Sequence, residues 1–578
     1  MPPEVSPTRG DSGLSRERAR RATPAAFGKV PPLYIKACVL LVVAASLIWF
    51  GLAAKTLIFS YPPIWSDEAC FASPAISLLR SGTLATEVLE GVLPGIGQRT
   101  YWQPPLYFLY IAAVFRFTGP GLLPLRLASL AIAPLVLGLA YLLALRAGLS
   151  RWLSLLAVAL IAIDPLFLRG ALIGRMDMLA LALILLSLWL ATQVFYGEVG
   201  PSRSLFAGLA SGLAALTHPM GVVALASITV AYLCSPKTRK VRLLVFLFLG
   251  VLLTFLPWVG YILLDPRGFI AQMGLQFGKI ARLSPGTVLS HLIVYMAQYY
   301  GVLGGMMVGG LLILPVWIGG FAGIAHSIRL AKRPEIGHAR QCLLLLCLCQ
   351  GLFFALAMWA RDIWYVLYFI PITALGLILL VANGLASLSP GPARTCCASL
   401  LMLLIAGYVY TSVNHTKRLE YLENEQYQSG TEYDSWCALI SREIPHGARV
   451  FLSVIPDPYF GLLGRSDLRL REFVPPGVPV SYAAYSSFLL QADYIVVGVG
   501  HGSPSPFVEQ FVKSSGTLVG MVGKDLHSDY CYLARVYRVN KANSTRLYIG
   551  GGPARDGPTA TNSELQLSGA LSLSPNNL

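Results

Sequence analysis

The stretch Ala37-Cys38-Val39-Leu40-Leu41-Val42-Val43-Ala44-Ala45-Ser46-Leu47-Ile48-Trp49-Phe50-Gly51-Leu52-Ala53-Ala54 contains no Asp, Glu, Lys, Arg or His. A helix of this length approaches the roughly 20 apolar residues that a bilayer core requires. Arg16, Arg18, Arg20 and Arg21 precede it. A signal peptide also begins with basic residues, but its apolar core is only about 7–15 residues and ends at a small-residue cleavage site. This run is longer, so it reads as an uncleaved first span with the N-terminus inside.

The rest of the chain agrees. Of 578 residues, 55% are hydrophobic and only 12% charged, against about 25% charged in soluble domains. The mean hydropathy is +0.63. So apolar a chain has too little polar surface to cover itself in water. The net charge of +16 does not point to nucleic acid, because the basic residues fall in short clusters between apolar runs, as in positive-inside loops. Further spans are expected at Leu127 to Leu145, Trp152 to Leu168, Met178 to Phe195, Leu243 to Leu264, Met306 to Ile324, Cys342 to Ala360, Trp364 to Leu385 and Cys397 to Val413. Pro104 to Phe117 is about 14 residues long and suits an interfacial or re-entrant helix better than a span. Leu205 to Leu233 is broken at Thr217-His218-Pro219-Met220-Gly221 and reads as a hairpin of two short helices. Both choices follow the positive-inside rule, keeping Arg146, Arg151 and the Lys237 to Arg242 cluster inside.

The expected fold is therefore an all-α polytopic membrane protein of about 11 transmembrane helices with a small C-terminal extracytoplasmic α/β domain. Residues 1–33 read as a cytoplasmic disordered tail, and 34–413 as the multi-span domain with a large first outer loop at 60–124. In 414–549, strand-like runs occur at Ala448 to Val454, Ala492 to Val499 and Tyr530 to Val539, with a helix at Tyr433 to Glu443. Residues 550–578 are rich in Gly, Pro, Ser and Asn and read as disordered. Ten cysteines show no metal-ligand spacing; Cys437 and Cys531 on the outer side either pair or remain two free thiols.

Ion-coupled transporters place ionisable groups mid-membrane, whereas these span interiors are nearly free of charge, Asp164 excepted. The acidic residues of interest lie at the outer surface: Asp67 and Glu68 after the first span, and Asp177 before the fourth. Span parity puts them in one compartment, where they can converge on one cleft. Taken singly, each also reads as a solvated helix cap, Arg175 and Arg361 as interface anchors, His218 as structural, and the Tyr101 turn as an aromatic interface belt.

An ordered series of motifs adds to this reading. Ser66-Asp67-Glu68-Ala69 is followed by Leu78-Leu79-Arg80-Ser81-Gly82 and Tyr101-Trp102-Gln103-Pro104-Pro105-Leu106-Tyr107. Then come Leu125-Arg126-Leu127-Ala128, Arg175-Met176-Asp177, Thr217-His218-Pro219 and Trp364-Tyr365-Val366-Leu367-Tyr368-Phe369-Ile370-Pro371. The series resembles the polytopic lipid-linked-sugar transferases of the GT-C type, which include protein O-mannosyltransferases and the bacterial aminoarabinose transferase acting on lipid A.

The resemblance implies a glycosyltransferase in the inner (plasma) membrane, N-terminus cytoplasmic. It would move a sugar from a polyprenyl-phosphate donor to a glycan, lipid or protein acceptor on the extracytoplasmic face, with inversion. Asp67 matches the family's general base, and Asp177 would share its cleft. Glu68, Tyr101, Gln103, Arg175, Lys279, Arg282, Arg361 and Tyr365 are the candidate substrate-binding residues. A departing phosphate needs cationic stabilisation. No nucleotide is expected and no Gly-rich phosphate loop is found. A divalent metal has candidate ligands in Asp177, His218 and His291. Aminoarabinose-transferring relatives, however, carry Glu-Lys where this chain has Trp102-Gln103, and that glutamate ligates metal in them. The alternative reading is a polytopic membrane transporter or flippase.

Overall fold

The computed structural model describes residues 33–59, 64–195, 201–234, 240–280, 320–328, 343–351, 363–387, 407–410, 412–414, 417, 429–472, 488–498, 506–523 and 533–541. It is mostly helical. α1 (Leu33–Leu57) is followed by α2 (Ser66–Ser81), α3 (Leu106–Thr118), α4 (Leu122–Arg146), α5 (Arg151–Ala162), α6 (Pro165–Leu172) and α7 (Asp177–Phe195). α8 (Ser202–Thr217) and α9 (Val222–Cys234) flank a 3₁₀ turn at Pro219–Gly221, then come α10 (Lys240–Leu263) and α11 (Pro266–Ile280). A second 3₁₀ turn, Ile363–Tyr368, leads into α12 (Ile370–Ser387).

Among the described residues, four helices are long and apolar enough to cross a membrane, within α1, α4, α7 and α10. Counting α5 and α6 as one broken span makes five. These apolar helices make the chain a multi-pass membrane protein. The expected span Trp152 to Leu168 is bent by 65°. The cause is local: Pro165 cannot continue a helix, and Asp164 restarts one by accepting the Leu166 and Phe167 N–H groups at 2.8 and 3.1 Å. The break at His218 falls where the hairpin reading put it. Trp364 to Leu385, expected as one helix, is divided between the 3₁₀ turn and α12. Most of Met306 to Ile324, Cys342 to Ala360 and Cys397 to Val413 lies outside the described residues.

α7 is apolar on every side and lies at the bundle centre, as a helix with no polar face must. α10 instead exposes Val245, Phe248, Leu252 and Leu256, a lipid-facing stripe. α8 and α10 cross at backbone contact. A Cβ on Gly208 would lie 2.0 Å from the Leu247 carbonyl oxygen, and one on Gly250 would lie 2.2 Å from that of Leu205. Small residues at such a crossing let two membrane helices approach closely.

Beyond the bundle, α13 (Ser429–Glu443), β1 (Arg449–Ser453), α14 (Tyr459–Leu462), β2 (Arg469–Glu472), β3 (Tyr494–Gly498), α15 (Pro506–Ser515), β4 (Gly516–Gly523) and β5 (Leu533–Val539) build a five-stranded sheet of order β2-β1-β3-β5-β4. β2, β1 and β3 are parallel, whereas β5 pairs antiparallel with β3 and β4. The runs at Ala448, Ala492 and Tyr530 contain β1, β3 and β5. β2 and β4 escaped notice, the first being charged (Arg469-Leu470-Arg471-Glu472) and the second glycine-rich. One sheet face packs on Val508, Phe511 and Val512 of α15. The other shares a core with α2 and α3 through Trp436, Ile440, Val450 and Val496. Cys437 is buried with a free thiol; Cys531 lies outside the described residues.

The sheet is seated on the loop that follows α1. The Asp457 N–H donates to the Ile64 carbonyl at 2.8 Å. Arg471 donates to the Glu87 carbonyl at 2.6 Å and pairs with Glu90. The same loop is tied to α11 by Gln272, whose Oε1 accepts the Tyr101 N–H at 2.7 Å and whose Nε2 donates to the Pro94 and Arg99 carbonyls. The first loop, the start of α11 and the sheet therefore share one side of the membrane.

Candidate active site

Three segments distant in sequence meet where α1 ends and α7 begins. Ser66–Ser81 starts as a helix with Asp67 and Glu68 in its first turn, where the helix dipole favours negative charge. Arg126 lies in the first turns of α4, fully buried in a helix that is apolar from there to Arg146, and the structure supplies its partner. Its Nε and Nη2 donate to Glu68 Oε1 and Oε2 at 2.9 and 2.7 Å. Its Nη1 donates to the Ile58 carbonyl at 2.9 Å. Both side chains are 0% exposed. The Gly174 N–H donates to the same Glu68 Oε1 at 2.9 Å. One carboxylate thus fixes the end of α1, the start of α2, α4 and the turn before α7.

That turn presents Arg175. Its Nε donates to Asp177 Oδ2 at 3.0 Å, and its Nη1 pairs with Asp67 Oδ2. Asp67 and Arg175, 108 residues apart in sequence, are joined by this bond. The Arg175 guanidinium lies 5.4 Å from the Phe71 ring centroid, a cation–π contact with α2. Tyr368 donates to Asp177 Oδ1 at 3.2 Å, so both carboxylate oxygens of Asp177 are engaged. His218 lies beyond: its Nδ1 accepts the Met220 N–H at 3.0 Å, which puts the neutral ring's proton on Nε2, facing Asp177 Oδ1 at 4.0 Å. The Tyr365 ring stands edge-on to His218 at 5.4 Å.

Exposure separates the three carboxylates. The side chain of Asp67 is 29% exposed, that of Asp177 3% and that of Glu68 0%. Asp67 is the one with a face open to an incoming molecule; the others are enclosed by protein partners. Charge of both signs packed into an apolar bundle end suits chemistry in which a proton is taken from one group while an anion departs from another.

Asp67, Asp177, Arg175, His218 and Tyr365 thus come together as a cluster. Glu68 does not join it as a substrate contact, because its carboxylate is fully committed inside the protein. Tyr101 is likewise enclosed by protein. It is fully buried, its hydroxyl donates to the Tyr261 carbonyl at 3.3 Å, and its ring packs on Trp258, Tyr261 and Phe269. It clamps the first loop to α10 and α11. Gln103 is partly buried, and its Oε1 has no hydrogen-bond partner among the described residues. Lys279 lies on α11 with its side chain outside the described residues; Arg282, Arg361 and His291 lie outside them altogether.

Among the described residues, no three His, Cys, Asp or Glu side chains gather as a metal site. Asp177 and His218 are two adjacent donors. Where metal-binding relatives carry glutamate, the Trp102 indole donates to Thr86 Oγ1 at 3.1 Å and stacks on Phe71 at 5.7 Å. The described donor set does not by itself fit a metal. Arg126 and Tyr368 were missed as members of the site. Arg126 had a readable signal, since a lone charge on a membrane helix demands a buried partner. Tyr368 was only one aromatic among several.

Residues 102–261 match the family of dolichyl-phosphate-mannose-protein mannosyltransferases. That match spans just over a quarter of the chain. The matched segment holds Arg126, Arg175, Asp177 and His218; Asp67 and Tyr365 lie outside it. Among solved structures, the chain resembles ArnT from Cupriavidus metallidurans in the apo state, with a TM-score of 0.51 at 15% identity over 88% of this chain and 98% of that one. ArnT bound to undecaprenyl phosphate matches with a TM-score of 0.49 at 16% identity, over 87% and 98%. The oligosaccharyltransferase AglB from Archaeoglobus fulgidus, in complex with an inhibitory peptide and a dolichol-phosphate, matches with 0.47 at 14%, over 80% and 70%. The likeness to apo ArnT is one of fold. No curated protein sequence matches the chain.

Proposed function

We propose that the chain is a glycosyltransferase of the GT-C type that moves a sugar from a polyprenyl-phosphate donor to a hydroxyl of a glycan, lipid or protein on the extracytoplasmic face, with Asp67 as general base. The observation that carries this reading is the Asp67–Arg175–Asp177 bridge, in which one partly open carboxylate sits against a buried guanidinium. Dolichyl-phosphate-mannose in the name of the matching family supports a lipid-phosphate donor.

In this mechanism the acceptor oxygen attacks the anomeric carbon opposite the phosphate. Asp67 takes the hydroxyl proton as the new C–O bond forms. The old anomeric C–O bond breaks, and its electron pair leaves with the polyprenyl phosphate, so the configuration inverts. Arg175 meets the phosphate, for which a guanidinium is the best-suited side chain. An incoming phosphate competes with Asp67 for Arg175, and that exchange frees the carboxylate to meet the acceptor hydroxyl. Asp177, held by Tyr368, keeps Arg175 anchored throughout.

The topology belongs to the same proposal: N-terminus cytoplasmic, about 11 spans in 34–413, the 414–549 region extracytoplasmic, 550–578 a tail, and the whole in the inner (plasma) membrane. Lysines and arginines between the spans support it. The test is reconstitution in lipid with labelled polyprenyl-phosphate sugars and candidate acceptors, with the product anomer assigned by NMR. Candidates come from mass spectrometry of cell-envelope glycans and glycoproteins with and without the intact protein. Transfer with inversion is expected; a product of retained configuration would remove the single-displacement mechanism.

A further inference from the structure

A second pair of carboxyls lies behind the site. Asp457 follows β1 and Glu472 ends β2; each is 1% exposed. Asp457 is held at three points. Its N–H donates to the Ile64 carbonyl at 2.8 Å, its carbonyl accepts from Tyr433 Oη at 2.7 Å, and its Oδ1 accepts the Tyr459 N–H at 2.9 Å. Its Oδ2 and Glu472 Oε1 are both buried without a hydrogen-bond partner among the described residues, and the two carboxyls act on each other. Two carboxylates cannot bond to each other; a carboxyl and a carboxylate can. Ile64 immediately precedes Trp65, the N-cap of α2, and Asp67 is in the first turn of that helix.

We propose that Asp457 and Glu472 are positioning residues for Asp67: as a hydrogen-bonded carboxyl pair in the dry seam between the sheet and α2, they hold the entry to that helix. The sheet then has a part in catalysis. It fixes the register of the base. This rests on the reading of Asp67 as general base.

Electrostatics supports the geometry. Burial, then the charge of Asp457, pushes the Glu472 carboxyl well up, and burial pushes Asp457 up to about 7. Glu68 pushes Asp457 further up, while the Tyr459 N–H on its Oδ1 pulls it down. Glu68 and Cys70 look on from α2, and Tyr433 and Tyr459 from α13 and α14. Arg80, which acts on Tyr459, is offset there by Glu87. The folded pair thus keeps protons that the unfolded chain releases near pH 4. Its contribution to stability is full below about pH 4 and declines as pH rises through about 7.

The experiment uses the full-length protein in lipid nanodiscs and combines amide hydrogen exchange with steady-state kinetics. In Glu472→Ala, exchange in residues 64–70 is expected to rise. kcat should fall about 10–100-fold, the cost of a misplaced catalytic group, with the donor KM within about twofold. Glu472→Gln, whose amide can donate to Asp457 at any pH, should restore both and flatten the fall of kcat above about pH 7. Should Glu472→Ala not fold, Tyr433→Phe removes one of the three restraints on Asp457 and should loosen 64–70 in the same direction. Unchanged exchange in 64–70 with wild-type kcat, in whichever variant folds, overturns the proposal. A fully active Asp67→Asn would overturn the assignment of the base, whereas the exchange result stands without it.

Discussion

Glu68 and Arg126 face each other through two hydrogen bonds of 2.9 and 2.7 Å, and neither side chain reaches solvent. Adjacent residues of one motif therefore have separate tasks: Asp67 points to the open side, Glu68 into the protein. Sequence alone makes Glu68→Gln look like a mild control beside Asp67→Asn. The structure reverses that expectation. A neutral amide in place of the Glu68 carboxylate would leave a guanidinium buried without its counter-charge, at a cost of about 3 kcal/mol or more. Thermal unfolding in detergent should show a large loss for Glu68→Gln and nearly none for Asp67→Asn.

Arg175 must reach Asp67 and Asp177 together, which a planar guanidinium does and an ammonium does not. Arg175→Lys should lower kcat about 100-fold while the protein remains folded. Tyr368→Phe, which removes one of the bonds to Asp177, should have a smaller effect. Single-turnover kinetics with saturating donor separates the chemical step from binding. Wild-type chemistry in Arg175→Lys would detach the bridge from function.

The α8–α10 crossing gives a test of the fold itself. Gly208→Ala places a methyl 2.0 Å from a backbone oxygen and must push the helices apart, at about 1–3 kcal/mol. Gly138→Ala on α4 meets nothing within 4 Å and gains helix propensity. Melting temperatures should move in opposite directions, down for the first and level or up for the second.

Sidedness is read with an impermeant thiol reagent. Cysteine at Lys513, exposed on α15, should be labelled in intact cells; cysteine at Lys237 should not. Ser515, next along the same helix, is fully buried and would be a poor probe. Labelling of 237 and protection of 513 would invert the proposed topology.

The bundle was legible where apolar length alone decides, as in α1, α4, α7 and α10. It was less so at Trp364 to Leu385, where hydropathy is continuous but the backbone changes from 3₁₀ turn to helix. Of the candidate site, Asp67, Arg175 and Asp177 were readable because loop charges flanking apolar spans are few. The roles of Glu68 and Tyr101 were not, since burial depends on partners 58 and 160 residues away that no local pattern announces. The Asp457–Glu472 pair was hidden for the same reason: an acidic residue ending a charged strand looks solvated until the sheet is seated on α2.

The central claim is tested most directly by the transfer rate of Asp67→Asn from a polyprenyl-phosphate sugar to its acceptor in reconstituted membranes. The substitution keeps size and hydrogen-bonding shape and removes the proton-accepting charge. The expected result is a kcat lower by about 10²–10⁴-fold, the usual worth of a general base, with an unchanged melting temperature. An Asp67→Asn enzyme that turns over at the wild-type rate would contradict the account.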